Sequence, residues 1–327
     1  MAELLGGFQT SQALYVVAKL DVATLLDDGP MTVADLAAAC GAQPEPLARL
    51  IRALAPMGIF RRLPDGTVET TPLGATLSAN RPDSARPLAL FWMETHYLPF
   101  SELLHTARTG EAAATLYLGE PFFRWVTGSP ERVELLTSAM AFATEGPRAA
   151  MFEGYRLPPG EVVADIGGAS GSVLARLLEG EPDRRGVVFD LPDVVPDARK
   201  FLEERGLADR VEVVGGDFFE AVPRADVYVL SYVLHDWDDD ACRRILRSIG
   251  EAGGPDARLV LVEGVVPEGD EPHPTKLVDL VMLGMQGGGK ERTEDEFAQL
   301  LASAGFTLDR VVATPSPYSF LEASRTP

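Results

Sequence analysis

His235 is the residue whose type and surroundings point most directly to chemistry. It follows the apolar run "DVYVLSYVL" and precedes Asp236, Asp238, Asp239 and Asp240. A histidine in this position can be a general base, a metal ligand, or a core histidine in front of an ordinary helix cap. The acids fit the start of a helix, "DDDACRRILRSIG", because helix N-termini favour carboxylates. We therefore expect no metal here, and the acids alone do not decide the role of the histidine.

A second candidate site lies in "EVVADIGGASGSVLARLLE", where an apolar run ends at Asp165 and a glycine turn leads into a helix. The turn contains Gly167, Gly168 and Gly171, but Ala169 breaks the pattern Gly-x-Gly-x-x-Gly. Glycine lets a ligand approach the backbone, and the start of the helix offers free N–H groups. A carboxylate two residues before the turn disfavours a pyrophosphate. It favours a ligand with an ammonium group and no phosphate, such as S-adenosylmethionine.

Two further acids end the next two apolar runs along the chain. Asp190 closes "GVVFD", 19 residues after Gly171, and Asp217 follows "VEVVGG". In open α/β sheets ligands bind at the carboxyl edge, where an acid after the second strand can accept hydrogen bonds from ribose hydroxyls. Asp217 is equally typical of a plain turn, since aspartate is a common turn residue.

These acids share one edge only if the runs that carry them form a parallel sheet. From residue 158 onward, short valine-rich runs such as "VVADIG", "GVVFDL" and "ARLVLVEGVV" alternate with helical segments. This alternation predicts an α/β fold with a Rossmann-like, doubly wound, mostly parallel sheet over residues 158–327. The last runs, "FTLDRVVATP" and "YSFLEAS", predict two closing strands that can pair as a hairpin.

The first hundred residues have a different pattern. "MTVADLAAACG" and "PEPLARLIRALAPMGIF" predict two helices, and "IFRRLPDGTVETTPLG" predicts a hairpin around a Pro-Asp-Gly turn. This order is typical of a winged helix over residues 1–100, followed by a helical linker over 101–157. Residues 1–100 hold seven basic and ten acidic side chains, a net charge of −3, and the whole chain carries −20. We therefore expect a mainly helical dimerisation domain and no nucleic-acid partner.

The composition also indicates in which cellular compartment the protein is expected. The two cysteines, Cys40 and Cys242, have no paired spacing, which indicates a reducing environment. The early apolar stretch "ALYVVAKLDVATLL" is broken by Lys19 and Asp21, so it predicts an amphipathic helix and no signal peptide. No apolar run approaches the ~20 residues of a membrane span. We expect a cytoplasmic protein without a membrane partner.

Seven segments together resemble one protein family. They are "ADIGGASG", "FDLP", "GGDFF", "LHDWDDD", "VEGVVP", "DLVML" and "GGKERT". In this order they resemble the S-adenosylmethionine-dependent O-methyltransferases of plant phenylpropanoid metabolism and of actinobacterial natural-product pathways. The resemblance implies a homodimer with a winged-helix dimerisation domain, a linker that contributes to an acceptor pocket, and a role in secondary metabolism such as antibiotic biosynthesis.

The resemblance also implies roles for individual residues. In the cofactor site, the three glycines would contact the cofactor, Asp190 would accept hydrogen bonds from its ribose, and Asp217 with Phe218 would bind its adenine. His235 is implied as the general base, and Met140 and Met282 as contacts of the acceptor ring. Ser231 replaces a lysine of the plant members, so the chain is more similar to the bacterial branch. The cofactor-binding residues are Asp165, Gly167, Gly168, Gly171, Asp190, Leu191, Asp217, Phe218, Ser231 and Trp237; the catalytic residues are His235, Glu263 and Glu291; the acceptor contacts are Met140, Met282 and Asp236.

Methyl transfer from a sulfonium is an in-line displacement that needs alignment and proton removal but no metal. A histidine of pKa ~6.5 suits a phenol of pKa ~10 only if a carboxylate stabilises the imidazolium. Glu263 or Glu291 can supply that carboxylate, and the acceptor is expected to be a small aromatic or polyketide-type molecule. One alternative is the same scaffold used for S-adenosylmethionine-assisted hydroxylation, decarboxylation or cyclisation. Another, a DNA-binding regulator, is disfavoured by the acidic charge.

Overall fold

The computed structural model describes residues 1–145 and 149–326. Contacts divide the described chain into two compact units, residues 1–98 with 126–145 and residues 99–125 with 149–326. The predicted linker, 101–157, therefore contributes residues to both units. Among the described residues, no helix combines the length and apolar character needed to cross a membrane.

The helices and strands are short and regular in their alternation after residue 160. The α-helices are α1 Ala2–Leu5, α2 Gly7–Lys19, α3 Val22–Leu25, α4 Val33–Cys40, α5 Pro44–Leu54, α6 Pro72–Ala75, α7 Arg86–Phe91, α8 Leu103–Thr109, α9 Ala113–Leu118, α10 Phe122–Thr127, α11 Pro130–Glu145, α12 Ser172–Leu177, α13 Val195–Glu204, α14 Asp239–Gly253, α15 Pro274–Met285 and α16 Glu294–Ser303. The strands are β1 Met31–Thr32, β2 Phe60–Arg62, β3 Thr67–Thr70, β4 Val162–Ile166, β5 Arg185–Asp190, β6 Val211–Gly215, β7 Val227–Ser231, β8 Arg258–Gly264, β9 Phe306–Ala313 and β10 Tyr318–Arg325. Single turns of 3₁₀-helix (Ala55–Met57, Pro99–Glu102, Ala149–Phe152 and Leu234–Asp236) and one of π-helix (Trp92–His96) complete the list.

The N-terminal unit contains the predicted helix, helix and hairpin in that order. Helix α4 begins after Thr32, whose hydroxyl accepts a hydrogen bond from the Asp35 N–H at 3.2 Å. Helix α5 is amphipathic and buries Leu47, Ile51 and Leu54 in the core of this unit. Strands β2 and β3 pair antiparallel, and β1 adds to the other side of β3. The winged-helix prediction is confirmed.

The second unit is built on a seven-stranded sheet of order β6-β5-β4-β7-β8-β10-β9. The five strands β4 to β8 are parallel, and β10 pairs antiparallel with both β8 and β9. The chain starts at central β4, runs outward to one edge through β5 and β6, and returns to β7 on the other side. This reversal next to β4 opens a crevice at the carboxyl ends of the strands, where α/β sheets bind ligands.

Side chains that alternate along the parallel strands supply two cores, one on each face of the sheet. On β7, Tyr228 and Leu230 face the core formed with α14 and α16, whereas Val227 and Val229 face the core formed with α12 and α13. All four are fully buried. The sheet is thus covered by helices on both faces, as the valine-rich runs predict, and only its edges and strand ends remain for function.

Candidate active site

The glycine turn after β4 is shaped by the carboxyl group of Asp165 beneath it. A Cβ on Gly168 would lie 2.9 Å from the Asp165 Cγ, so only glycine fits there without displacing the acid. Gly171, with a φ of +78°, is the N-cap of α12, and Gly167, with a φ of +72°, lies at the start of the turn. Ala169 adopts a φ of +46°, a left-handed conformation that glycine adopts more readily than alanine.

Asp190, at the end of β5, holds the glycine turn in place. Its Oδ2 accepts a hydrogen bond from the Ala169 N–H at 2.8 Å, and its Oδ1 accepts one from the Leu191 N–H at 2.7 Å. Burial raises the pKa of Asp190. Because each carboxylate oxygen has a second lone pair, both remain able to accept from ribose hydroxyls, and the ribose role remains a prediction. Leu191 is half exposed and offers an apolar contact beside this position.

The Asp165 carboxyl group fits a cationic ligand group. It is buried, and no described residue donates a well-formed hydrogen bond to either oxygen. Burial and then the charge of Asp190 raise the pKa of Asp165 to about 7. An ammonium group near the turn would restore the ionised carboxylate and complete its interactions. A pyrophosphate would add like charge. These residues therefore fit S-adenosylmethionine as the ligand of this crevice.

The aromatic side of the crevice is formed after β6 and β7. Phe218 lies beside the glycine turn, and its ring packs edge-on against Trp237 with 5.9 Å between centroids. Asp217 makes the turn that was the alternative to a ligand role, because its Oδ1 accepts from the Phe219 N–H at 2.8 Å. The Ser231 hydroxyl at the end of β7 is buried and lacks a hydrogen-bond partner among the described residues. The adenine and pocket roles of these residues remain predictions.

Asp190 can be tested directly. Replacing Asp190 by alanine is expected to weaken S-adenosylhomocysteine binding about 10–100-fold, because hydrogen bonds from ribose and from the Ala169 amide lose a charged acceptor. Isothermal titration calorimetry measures the affinity, and the exposed Asp193, three residues on, gives the matched alanine control. Unchanged affinity in a folded Asp190→Ala variant would remove its ribose role.

His235 lies in the 3₁₀ turn that follows β7, with 8 % of its surface exposed. Its Nδ1 is 2.7 Å from Oε1 of Glu291, a hydrogen bond between buried groups. Glu263, on β8, uses its Oε1 to accept the Leu234 N–H at 3.0 Å. Of the two glutamates that sequence left open, Glu291 is therefore the direct partner of the histidine ring. Oε2 of each glutamate is buried without a hydrogen-bond partner among the described residues.

The carboxylates around His235 change its acid–base properties. Burial by itself lowers the histidine pKa, but the charge of Asp236, the hydrogen bond to Glu291 and the charge of Glu263 outweigh burial and raise the pKa of His235 to about 9. Burial raises the pKa of Glu263 to about 7 and that of Asp236 to about 6. The cluster thus stabilises a proton on the ring, which is the state that follows proton abstraction.

The four acids after His235 divide into two groups. Asp238 caps α14 by accepting the Ala241 N–H at 2.8 Å, and Asp239 and Asp240 lie in the first turn of that helix, as predicted. The expectation that all four serve the helix was wrong for Asp236. Helix α14 begins only at Asp239, and Asp236 belongs to the preceding turn, where its Oδ1 lies 3.6 Å from Nε2 of His235.

The ligand atoms of His235, Glu263 and Glu291 lie within 4.8 Å of one another, which is close enough to share a cation. The 2.7 Å separation of Nδ1 and Oε1 is however that of a hydrogen bond. Both atoms would have to move apart to bind one ion at about 2.0–2.2 Å in tetrahedral geometry. The arrangement fits a histidine–glutamate pair more directly than a metal centre, and the sequence prediction of no metal remains a prediction.

The predicted acceptor contacts fall in different units. Met282 lies on α15, in the same unit as His235, and is buried. Met140 lies on α11 in the N-terminal unit and is partly exposed. The third predicted contact, Asp236, lies beside the His235 ring. All three acceptor roles remain predictions.

Sequence reasoning missed two residues that fix this site. Oδ1 of Asp279, on α15, accepts the Glu291 N–H at 2.9 Å, and Arg292 contacts the turn that carries His235. Arg292 directly follows Glu291 in "GGKERT", but nothing in that segment distinguishes it from a surface charge. No spacing pattern indicated Asp279, because its contact depends on how α15 packs.

Comparison with known sequences assigns most of the chain. The O-methyltransferase domain model matches residues 101–307, and the O-methyltransferase dimerisation domain model matches residues 2–80. The phenazine O-methyltransferase PhzM of Lysobacter antibioticus is 40% identical, covering 99% of this chain and 95% of that protein. The mitomycin biosynthesis 6-O-methyltransferase of Streptomyces lavendulae is 38% identical, covering 94% and 88%.

Solved structures give the same assignment. The crystal structure of LaPhzM matches with a TM-score of 0.93 and 40% identity, covering 99% of this chain and 98% of that one. Human N-acetylserotonin methyltransferase in complex with S-adenosylmethionine matches with a TM-score of 0.92 and 26% identity, covering 100% and 96%. These likenesses extend over both units of the chain.

Proposed function

Because this chain belongs to the O-methyltransferase family and uses S-adenosylmethionine, we propose that it methylates a phenolic hydroxyl of an aromatic natural product, with His235 as the general base. The observation that carries the proposal is the 2.7 Å hydrogen bond from His235 Nδ1 to Glu291 Oε1. This bond fixes the tautomer with the proton on Nδ1, so Nε2 of the neutral ring has a free lone pair to accept a proton.

The chemistry requires little beyond alignment and proton removal. When bound, S-adenosylmethionine supplies an activated methyl group on a sulfonium sulfur. His235 Nε2 would take the proton that the acceptor hydroxyl loses when it is methylated, and the ring would carry that proton as imidazolium. Glu291 stabilises the imidazolium through Nδ1, and Asp236, 3.6 Å from Nε2, adds negative charge on the other side of the ring. A positioned base of this kind typically contributes about 10²–10⁴-fold.

A phenolic acceptor is supported by the match of proton affinities. The pKa of His235 is raised to about 9, close to the ~10 of a phenol. An aliphatic hydroxyl, nearer the ~15.7 of water, would leave a large uphill proton transfer. Two relatives of this chain are named for phenazine and mitomycin, which supports an aromatic natural product as the acceptor.

The experiment is a panel of phenolic, aminophenolic and aliphatic acceptors incubated with S-adenosylmethionine labelled in its methyl group. Label in an O-methyl product of a phenol is the expected result. Label on nitrogen would change the acceptor class, as one relative 37% identical is an N,N-dimethyltransferase. A hydroxylated, decarboxylated or cyclised product without label would favour the alternative reactions on this scaffold.

The homodimer is also part of the proposal. The match to a dimerisation domain over residues 2–80 supports it. Sedimentation equilibrium is expected to give twice the 35.2 kDa mass of one chain. A species that stays at the single-chain mass over micromolar concentrations would contradict the dimer.

We place the reaction in the cytoplasm. Cys40 and Cys242 are both free thiols, the first partly exposed and the second buried, as suits a reducing compartment.

A further inference from the structure

We propose that Arg292 is a positioning residue for His235, whose guanidinium group locks the turn that carries the histidine against the segment that carries Glu291. The inference rests on the proposed role of His235 as base. Arg292 has no exposed surface and is among the largest fully buried side chains in the described chain. A buried cation is costly unless every donor is satisfied, so its contacts are informative.

The guanidinium group donates hydrogen bonds to the turn on both sides of His235. Nη1 donates to the carbonyl oxygen of Leu234 at 2.8 Å, and Nη2 donates to the carbonyl oxygen of Trp237 at 2.9 Å. Nε and Nη2 also donate to Oδ1 of Asp239 at 3.2 and 2.8 Å. The cation therefore spans the turn from the residue before the histidine to the first residue of α14.

The backbone of Arg292 is fixed independently. Its carbonyl oxygen accepts the Val266 N–H at 2.9 Å, in the segment that directly follows β8. Two residues earlier, the Lys290 N–H donates to the carbonyl oxygen of His235 itself at 2.9 Å. Segment 290–292 is thus anchored to the end of β8 and to the histidine turn. The Arg292 side chain closes this arrangement, with Glu291 held between the two anchors.

This geometry requires arginine. Five donors on a planar fork reach two carbonyl oxygens and a carboxylate at once, whereas the single ammonium group of lysine cannot span the turn. Displacement of the turn would lengthen the 2.7 Å bond between His235 and Glu291. A misplacement of about 1 Å in such a pair can cost about 10²-fold in rate.

The test uses the histidine titration, which needs no knowledge of the acceptor. The pH midpoint of His235 is followed by NMR in full-length, histidine-labelled protein, with the resonance assigned by its loss in His235→Asn. In Arg292→Met the midpoint is expected to fall by about one pH unit or more, because the ring loses its close carboxylate. Arg292→Lys is expected to restore part of the shift. S-adenosylhomocysteine affinity should change less than threefold in both (roughly 0.6 kcal/mol).

The direction in which the His235 midpoint moves in Arg292→Met distinguishes a positioning role of Arg292 from a purely electrostatic effect of its charge. Loss of a nearby cation alone would raise the histidine midpoint, so a rise in Arg292→Met, or no change, overturns the proposal. Arg243→Met is the matched control, since Arg243, on α14, pairs with Asp240 of the same helix and with Ser303 of α16. The His235 midpoint in this variant should be that of the wild type. If Arg292→Met does not fold, Asp239→Asn is compared with Asp240→Asn, which removes the same charge from the same turn of α14 but pairs with Arg243 and not with Arg292. A fall of the His235 midpoint in Asp239→Asn that exceeds the fall in Asp240→Asn supports the proposal, and equal or absent shifts overturn it.

Failure of the proposed function would give a different pattern. If His235 is not the base, methyl transfer to the acceptor found in the panel persists in His235→Asn. The titration of His235 would still report whether Arg292 holds it. With His235 confirmed as the base, kcat in Arg292→Met should fall about 10²-fold with little change in the KM for the cofactor.

Discussion

Replacing His235 by asparagine is expected to lower kcat for methyl transfer by about 10²–10⁴-fold, the contribution of a positioned general base. Asparagine keeps a polar side chain of moderate size but cannot accept the proton. Affinity for S-adenosylhomocysteine should stay within a few-fold of the wild type, since the glycine turn and Asp190 are held by their own hydrogen bonds. Single-turnover kinetics with the phenolic acceptor measure the chemical step directly.

The pH dependence gives an independent check. In the proposed mechanism the neutral ring takes the proton, so kcat should rise with pH and level off above the histidine pKa, which the surrounding carboxylates raise to about 9. The rising part of the profile of kcat against pH is therefore expected on the alkaline side of neutrality. This rise should be absent from the residual activity of His235→Asn. His273, at the start of α15, provides the matched His→Asn control. Near-wild-type kcat in His235→Asn would show that alignment alone drives transfer and that another group, or water, takes the proton.

The fold was predictable because its determinants are local and repeated. Each parallel strand is a short run rich in valine that ends in a turn, and the strands inside the sheet are buried on both faces whereas β6, at the edge, is partly exposed. The sheet therefore brings Asp165, Asp190 and the histidine turn to one edge, as predicted. The closing hairpin β9–β10 followed from two β-prone runs at the end of the chain and is confirmed.

The site was less predictable because its interactions cross between elements that sequence does not align. Two glutamates, 28 and 56 residues after His235, were equivalent candidates, and only the packing of segment 290–292 against the turn selects Glu291. Asp236 was assigned to the helix on helix-cap statistics, but the helix starts three residues later. Arg292 is indistinguishable in sequence from a surface charge, since nothing in its neighbours shows that it is fully buried.

Glu291→Gln and Glu263→Gln are expected to differ sharply, although both remove one carboxylate beside the same histidine. Glu291 accepts the Nδ1 hydrogen at 2.7 Å. Glutamine there removes the negative charge, and its amide NH₂, when it faces Nδ1, selects the tautomer that carries the proton on Nε2. That tautomer cannot act as the base, and the analogous change in a serine-protease triad costs about 10⁴. We expect a loss in kcat of roughly 10²–10⁴-fold. The pH at which kcat rises should also be lower than in the wild type, because one group that raises the pKa of His235 is gone.

Glu263 is in a different state. Burial first, and then the charge of Glu291, act against the opposing effect of His235 and raise the pKa of Glu263 to about 7. The group is therefore about half protonated at neutrality, and glutamine is the neutral isostere of its protonated form. Its ionised form is one of the charges that raise the pKa of His235. The amide oxygen can still accept the Leu234 N–H that Oε1 now accepts, and the amide NH₂ supplies a donor to the buried cluster where Oε2 of Glu291 lacks a partner. Glu263→Gln is expected to lose less than about tenfold in kcat, the cost of one imperfect buried hydrogen bond.

The two variants form a matched pair, since the substitution is the same and both sites are buried beside one ring. Thermal unfolding and S-adenosylhomocysteine calorimetry establish that each folds and binds, and kcat is then compared across pH 6–10. Equal losses would mean that both glutamates act only as charges around His235, which would contradict the assignment of Glu291 as the orienting partner. A greater loss in Glu263→Gln would reverse the roles. Only a deficit concentrated in Glu291→Gln supports a base whose tautomer, and not merely its charge, is set by the protein.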